Sequence, residues 1–198
     1  MDFWLRLSGL IDTLNRRVGS YASWLILAMT IISALNAVTR KFLNLSSNAF
    51  LEIQWYLFAA VFLLVAGYTL LGNEHVRVDI VNTHLRTRVR IGIEIFGTSV
   101  FLFPFTLMVL WYGWPYFVES FNSREISLNA GGLILWPVKL LIPAGFLLLF
   151  LQGVSQLIKL IAALRGRLDP GPLIERHSPQ EDDINALLHK QSGGGSAG

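Results

Sequence analysis

Long apolar runs separated by short polar segments dominate the chain. Four of them stand out: Tyr21–Thr39, Phe50–Leu71, Ile91–Val118 and Leu133–Leu164. A hydrocarbon core of roughly 30 Å takes about 20 apolar residues at ~1.5 Å per residue, so each run is long enough to cross a bilayer as a helix. The pattern predicts an all-α integral membrane fold with four tilted transmembrane helices. The last two runs are longer than a bilayer needs. The third carries Pro104 inside and Pro115 near its end, and the fourth has Pro137 and Pro143 in its first turns, so tilt, a kink or projection into water is expected.

The segments between the runs have their own periodicity. In residues 1–18, Trp4, Leu7, Ile11, Leu14 and Val18 recur at steps of three and four, with Arg6, Arg16 and Arg17 largely off that stripe. This predicts a short amphipathic helix lying in the headgroup layer. Val78, Val81, Leu85 and Val89 predict a second surface helix, with Arg86, Arg88 and Arg90 on its other side. Asn44–Asn48 reads as a turn and Gly72-Asn73 as a helix stop. After Leu164 the character changes. Asp169-Pro-Gly-Pro172 breaks the helix, and Ser178-Pro179-Gln180-Glu181 reads as a capping box. The glycine-serine end from Ser192 reads as a flexible linker with the look of an appended remnant. The expected organisation is an interfacial helix over 1–18, a four-helix transmembrane domain over 19–164, and a flexible cytoplasmic tail over 165–198.

Composition sharpens this picture. Of 198 residues 53% are hydrophobic and only 15% charged, against about 25% charged in a soluble domain. The net charge of +3 gives no reason to expect a nucleic-acid partner. There is no cysteine, which excludes disulfides and thiolate-held metals. The first apolar run exceeds a signal-peptide core of about 7–15 residues, so it is expected to be retained as a span. Twelve of the sixteen lysines and arginines fall before the first run, between the second and third, and at or after the end of the fourth. The other four are Arg40, Lys41, Arg124 and Lys139. The positive-inside rule then places both termini and the middle segment in the cytoplasm.

Candidate chemistry is sparse. The histidines, His75, His84, His177 and His189, all lie outside the apolar runs, which excludes a haem held between spans. No catalytic residue, metal site or cofactor is expected. The ionisable residues nearest the spans sit toward span ends, whereas a proton or ion path needs them near the midplane. Asn36 and Arg40 share a helix face, Glu52 opens the second span, and Trp55 stands one turn on. An Arg40–Glu52 pair bracing the hairpin is one expectation, and contact of Asn36, Arg40, Glu52 and Trp55 with another subunit is the other. Arg77, Arg86, Arg88 and Arg90 are expected to meet anionic lipid headgroups on the cytoplasmic face.

These residues resemble a known family. Asn36-x-x-x-Arg40 closes the first span, Glu52 and Trp55 open the second, and Gly72-x-Glu74-His75-Val76-Arg77-Val78-Asp79 follows it. Ile126-Ser127-Leu128 then leads to Trp136-Pro137 and Ile142-Pro143-Ala144-Gly145. In this order, over about residues 20–164, they resemble the small (DctQ-like) membrane subunit of tripartite ATP-independent periplasmic (TRAP) transporters. The resemblance implies a scaffold in the bacterial inner membrane. Its partners would be a large membrane subunit that binds substrate and sodium, and a periplasmic binding protein that delivers an organic acid. The alternative is a stand-alone four-helix channel or a lipid-interacting regulatory protein. A pore, however, needs a polar stripe along at least one span.

Overall fold

The computed structural model describes residues 2–43, 48–72 and 86–168. It contains α1 (Asp2–Leu43), α2 (Asn48–Leu71), α3 (Thr87–Gly97), a π-helical turn (Thr98–Leu102), α4 (Phe103–Ser123) and α5 (Trp136–Leu164). The α3 helix, the π turn and α4 run on as one rod. Among the described residues, four helical stretches are long and apolar enough to cross a membrane: Phe3–Phe42, Asn48–Leu71, Thr87–Ser123 and Trp136–Leu164. The expected all-α membrane architecture is therefore the one adopted.

The hub is α5, which packs against α1, α2, α3, α4 and the π turn. Its buried positions are largely small or polar, among them Gly145, Gly153, Ser155, Ala162 and Ala163. Without a hydrophobic force between helices in lipid, close backbone approach does the packing. A Cβ added at Gly145 would stand 2.5 Å from the Leu63 carbonyl oxygen of α2, so only glycine fits there. Large apolar side chains point outward instead: Trp24, Phe62, Phe101 and Trp111 are all exposed. That inversion suits a chain whose solvent is lipid. Rings of α4 and α5 also interlock, with Phe103–Phe150 centroids 5.1 Å apart and Phe121–Trp136 5.5 Å apart.

Three expectations change. Residues 1–18 do not form a separate helix: α1 runs unbroken for 42 residues. Gly19 is not a stop but a contact, since a Cβ there would meet the Tyr68 ring at 2.5 Å. The inward face of this segment is mixed rather than apolar, while Arg6, Arg16 and Arg17 are exposed as expected. Ser8, Ile11, Asn15 and Ala22 are buried, whereas Trp4 and Leu14 of the apolar stripe are exposed. The fourth span starts at Trp136 rather than Leu133, with Pro137 in its first turn, where its missing N–H costs nothing. The third span meets Pro104 with a π turn. Proline cannot donate to the carbonyl four residues back, and a wider turn re-registers the ladder there. Of the second expected surface helix, residues 78–85 lie outside the described residues, and Thr87–Arg90 form the first turn of α3. Arg77, the four histidines and the capping box at 178–181 also lie outside them.

Candidate functional site

Two polar clusters sit at opposite ends of the bundle, and a groove runs along its outside. The first cluster forms where α4 turns into α5. Arg124 caps α4 in the left-handed region at φ 49°. The chain then closes on itself: the Ser127 N–H donates to the Leu133 carbonyl (2.9 Å) and the Leu135 N–H to the Glu125 carbonyl (3.0 Å). Gly131, at φ 72°, makes the turn between them. Three residues of α2 at four-residue spacing hold this loop. Asn48 Nδ2 donates to the Ala130 carbonyl (3.2 Å) and the Tyr56 hydroxyl to the Ile134 carbonyl (3.3 Å). Between them, Glu52 Oε1 accepts from the Ser127 hydroxyl and from Asn129 Nδ2 (2.7 Å), while Oε2 accepts from the Leu133 N–H (2.7 Å). Lys139 pairs with Glu125 and lies 4.0 Å over the Tyr116 ring. The hydrogen bond from the Lys139 ammonium holds the Glu125 carboxyl below the usual carboxylate range.

The expected Arg40–Glu52 brace is therefore replaced: the Glu52 carboxylate is committed to the α4–α5 loop. The reason is helical phase. Glu52 shares a stripe with Ala60 and Gly67, both buried like Glu52 itself. Leu51 and Gln54 lie on another side of α2, facing α1. Asn36 and Arg40 do share a face of α1, and together with Leu51 and Gln54 they line a cleft of about 510 Å³. The largely exposed Trp55 lines a neighbouring cleft of about 610 Å³. Arg86 and Arg88 are exposed at the start of α3, and Arg90 is half-buried.

The second cluster joins the first turns of α1 to the last turns of α5, and sequence reasoning missed it. Asp12 pairs with Lys159, and its Oδ1 accepts from Ser155 Oγ (2.7 Å) and Gln152 Nε2 (3.0 Å). Asn15 Nδ2 donates to Gln152 Oε1 (2.9 Å), and the Ser8 and Ser155 hydroxyls meet at 2.7 Å. The signal was present as two polar stripes at helical spacing: Ser8, Asp12, Asn15 on α1 and Gln152, Ser155, Lys159 on α5.

The sequence model of one protein family matches residues 29–163: tripartite ATP-independent periplasmic transporters, DctQ component. The chain belongs to the DctQ family. It is thus a membrane component of a tripartite transporter, a class that is not enzymatic. The DctQ match takes in Asn36, Arg40, Glu52, Trp55, the whole α4–α5 loop and the α5 half of the polar seam. The α1 half of the seam, Ser8 to Asn15, lies ahead of it. No curated protein and no solved structure matches the chain.

Proposed function

We propose that this chain is the scaffold subunit of a TRAP-type importer. It would work beside a large membrane subunit and a periplasmic binding protein, moving an organic acid on an ion gradient, with sodium as the coupling ion. The observation that carries the reading is the DctQ match across four membrane-length helices. Physical chemistry supports a wall rather than a pore. Glu52, Asp12 and Lys159 spend their charges on bonds inside the fold at its two ends, while the lipid-facing surface is apolar. In this reading the chain sits in the inner membrane with both termini in the cytoplasm, and Arg86, Arg88 and Arg90, with Arg77, meet lipid headgroups there.

The test is co-expression with the large membrane subunit, followed by purification and reconstitution with the binding protein. The chain should co-purify with the larger protein. Labelled organic acid should accumulate only when all three components and a sodium gradient are present. Uptake by this chain alone, or a stable homo-oligomer that ignores the large subunit, would overturn the proposal.

A further inference from the structure

The clefts containing Arg40 and Trp55 share Ser33, Ala37 and Gln54, and so form one groove between α1 and α2. From the geometry of this groove we infer a binding site for one anionic phospholipid. Polarity is graded along it. One end is lined by Met29 and Phe58 with Thr30, whose hydroxyl is turned to the Ile26 carbonyl of its own helix (2.9 Å). Ser33, Ala34 and Gln54 line the middle. The far end carries Asn36, Arg40 and Lys41, a donor set for a phosphate. The order is that of a lipid molecule read from acyl chain to headgroup.

Length decides between a lipid and a partner helix. Met29 to Lys41 spans about 18 Å along α1 at ~1.5 Å per residue. One leaflet supplies about 15 Å of hydrocarbon plus its headgroup layer. A partner's transmembrane helix lying lengthwise in the groove would run on into the other leaflet. Beyond Met29, α1 closes onto α2, and Gly19 meets the Tyr68 ring. The place of Arg40 and Lys41 in the last turn of α1 also suits the helix dipole, but a dipole requires no groove. Asn36, Arg40 and Trp55 then act together through the lipid they hold. With the termini in the cytoplasm, the lipid belongs to the outer leaflet.

Native mass spectrometry of the purified full chain, titrated with phosphatidylglycerol or phosphatidylcholine, tests this. The wild-type chain should retain one phosphatidylglycerol in preference to phosphatidylcholine. R40Q/K41Q should lower phosphatidylglycerol retention roughly tenfold, since each basic residue near an anionic surface contributes about a fivefold factor before losses to screening. It should leave phosphatidylcholine unchanged. Ala37→Phe fills the groove and should lower retention of both lipids. Equal phosphatidylglycerol retention by R40Q/K41Q and wild type overturns the site, whether or not Ala37→Phe folds. So does an Ala37→Phe chain that keeps its lipid but no longer co-purifies with a second membrane protein, because the groove would then hold that protein's helix. The lipid titration needs only the isolated chain, so its failure and a failure of the transport reading are separable.

Discussion

Glu52 shows how much one side chain decides. Buried between α2 and the α4–α5 loop, it accepts hydrogen bonds from a hydroxyl, an amide and a backbone N–H, all more than seventy residues away in sequence. Removing it would leave those donors facing one another without an acceptor, which costs more than the bonds themselves contribute. Glu52→Ala should therefore lower the melting temperature in detergent by several degrees and loosen the loop. Glu52→Gln keeps one acceptor oxygen but turns an NH₂ toward the donors, so it should fall between Ala and wild type. Differential scanning fluorimetry gives the ranking, and labelling of a Leu128→Cys probe at the fully exposed loop tip reports the loosening. A Gln variant as damaging as Ala would mean that charge alone matters. Glu125 makes a pH-dependent prediction. Its folded carboxyl lies below the usual range because of Lys139, so its contribution is complete above the unfolded carboxylate value of about 4.3 and is lost as pH falls through the lowered folded value. Loop order, followed by fluorescence of Trp136 at the start of α5, should fall on acidification in the wild type. The Glu125→Gln variant should lack that share of the change.

At the scale of elements, the seam between α1 and α5 explains why a 42-residue helix holds together past the bilayer. Asp12 and Lys159 are partly buried, and each would be stranded without the other. Asp12→Ala and Lys159→Ala should each destabilise the fold, and the double variant should lose less than their sum, with a coupling of about 1–3 kcal/mol in a double-mutant cycle. A coupling near zero would make the pair a solvated contact. Gly67 offers an independent check. A Cβ there would come within 2.2 Å of Asn15 Oδ1, an oxygen with no hydrogen-bond partner among the described residues. Gly67→Ala should cost about 1–3 kcal/mol by overpacking, and adding Asn15→Ala should return part of it. These contacts also mark where sequence reading stops. The four spans were legible because apolar run length is a local property, and so was the shared face of Asn36 and Arg40. The phase of α2 was not, because a helix that is apolar nearly all round does not say which side packs. Hence Glu52 was assigned to the neighbouring hairpin rather than to a loop 75 residues on. In residues 1–18 the expected polar side, Arg6, Arg16 and Arg17, is exposed, but the inward face carries a polar stripe of its own, Ser8, Asp12 and Asn15, beside Ile11. Its polar stripe pairs with one on α5, and only the tertiary fold brings the two together.

For the whole molecule, the two ends differ in charge as well as in architecture. The finish of α1, the start of α2 and the α4–α5 loop lie at one end, where Arg40, Lys41, Arg124 and Lys139 are the only lysines and arginines among the described residues. Lys139 is already paired with Glu125, which leaves this end still poorer in free positive charge. The other end gathers the start of α1, the start of α3 and the finish of α5, and with them the nine other lysines and arginines of the described residues. The positive-inside rule counts lysines and arginines near span ends, and a ratio of this size sets orientation strongly. The seam adds a mechanical argument. Because α1 and α5 are bonded at that end through Asp12, Ser155 and Lys159, the N-terminus and the end of the last span must share one side of the membrane. Reporter fusions at the C-terminus and after His84 should both report the cytoplasm, and a fusion near Asn122 should report the periplasm. A periplasmic signal after His84 would break the charge argument. A split between the two termini would break the seam as well, because four spans bonded in this way cannot place their first and last turns on opposite faces.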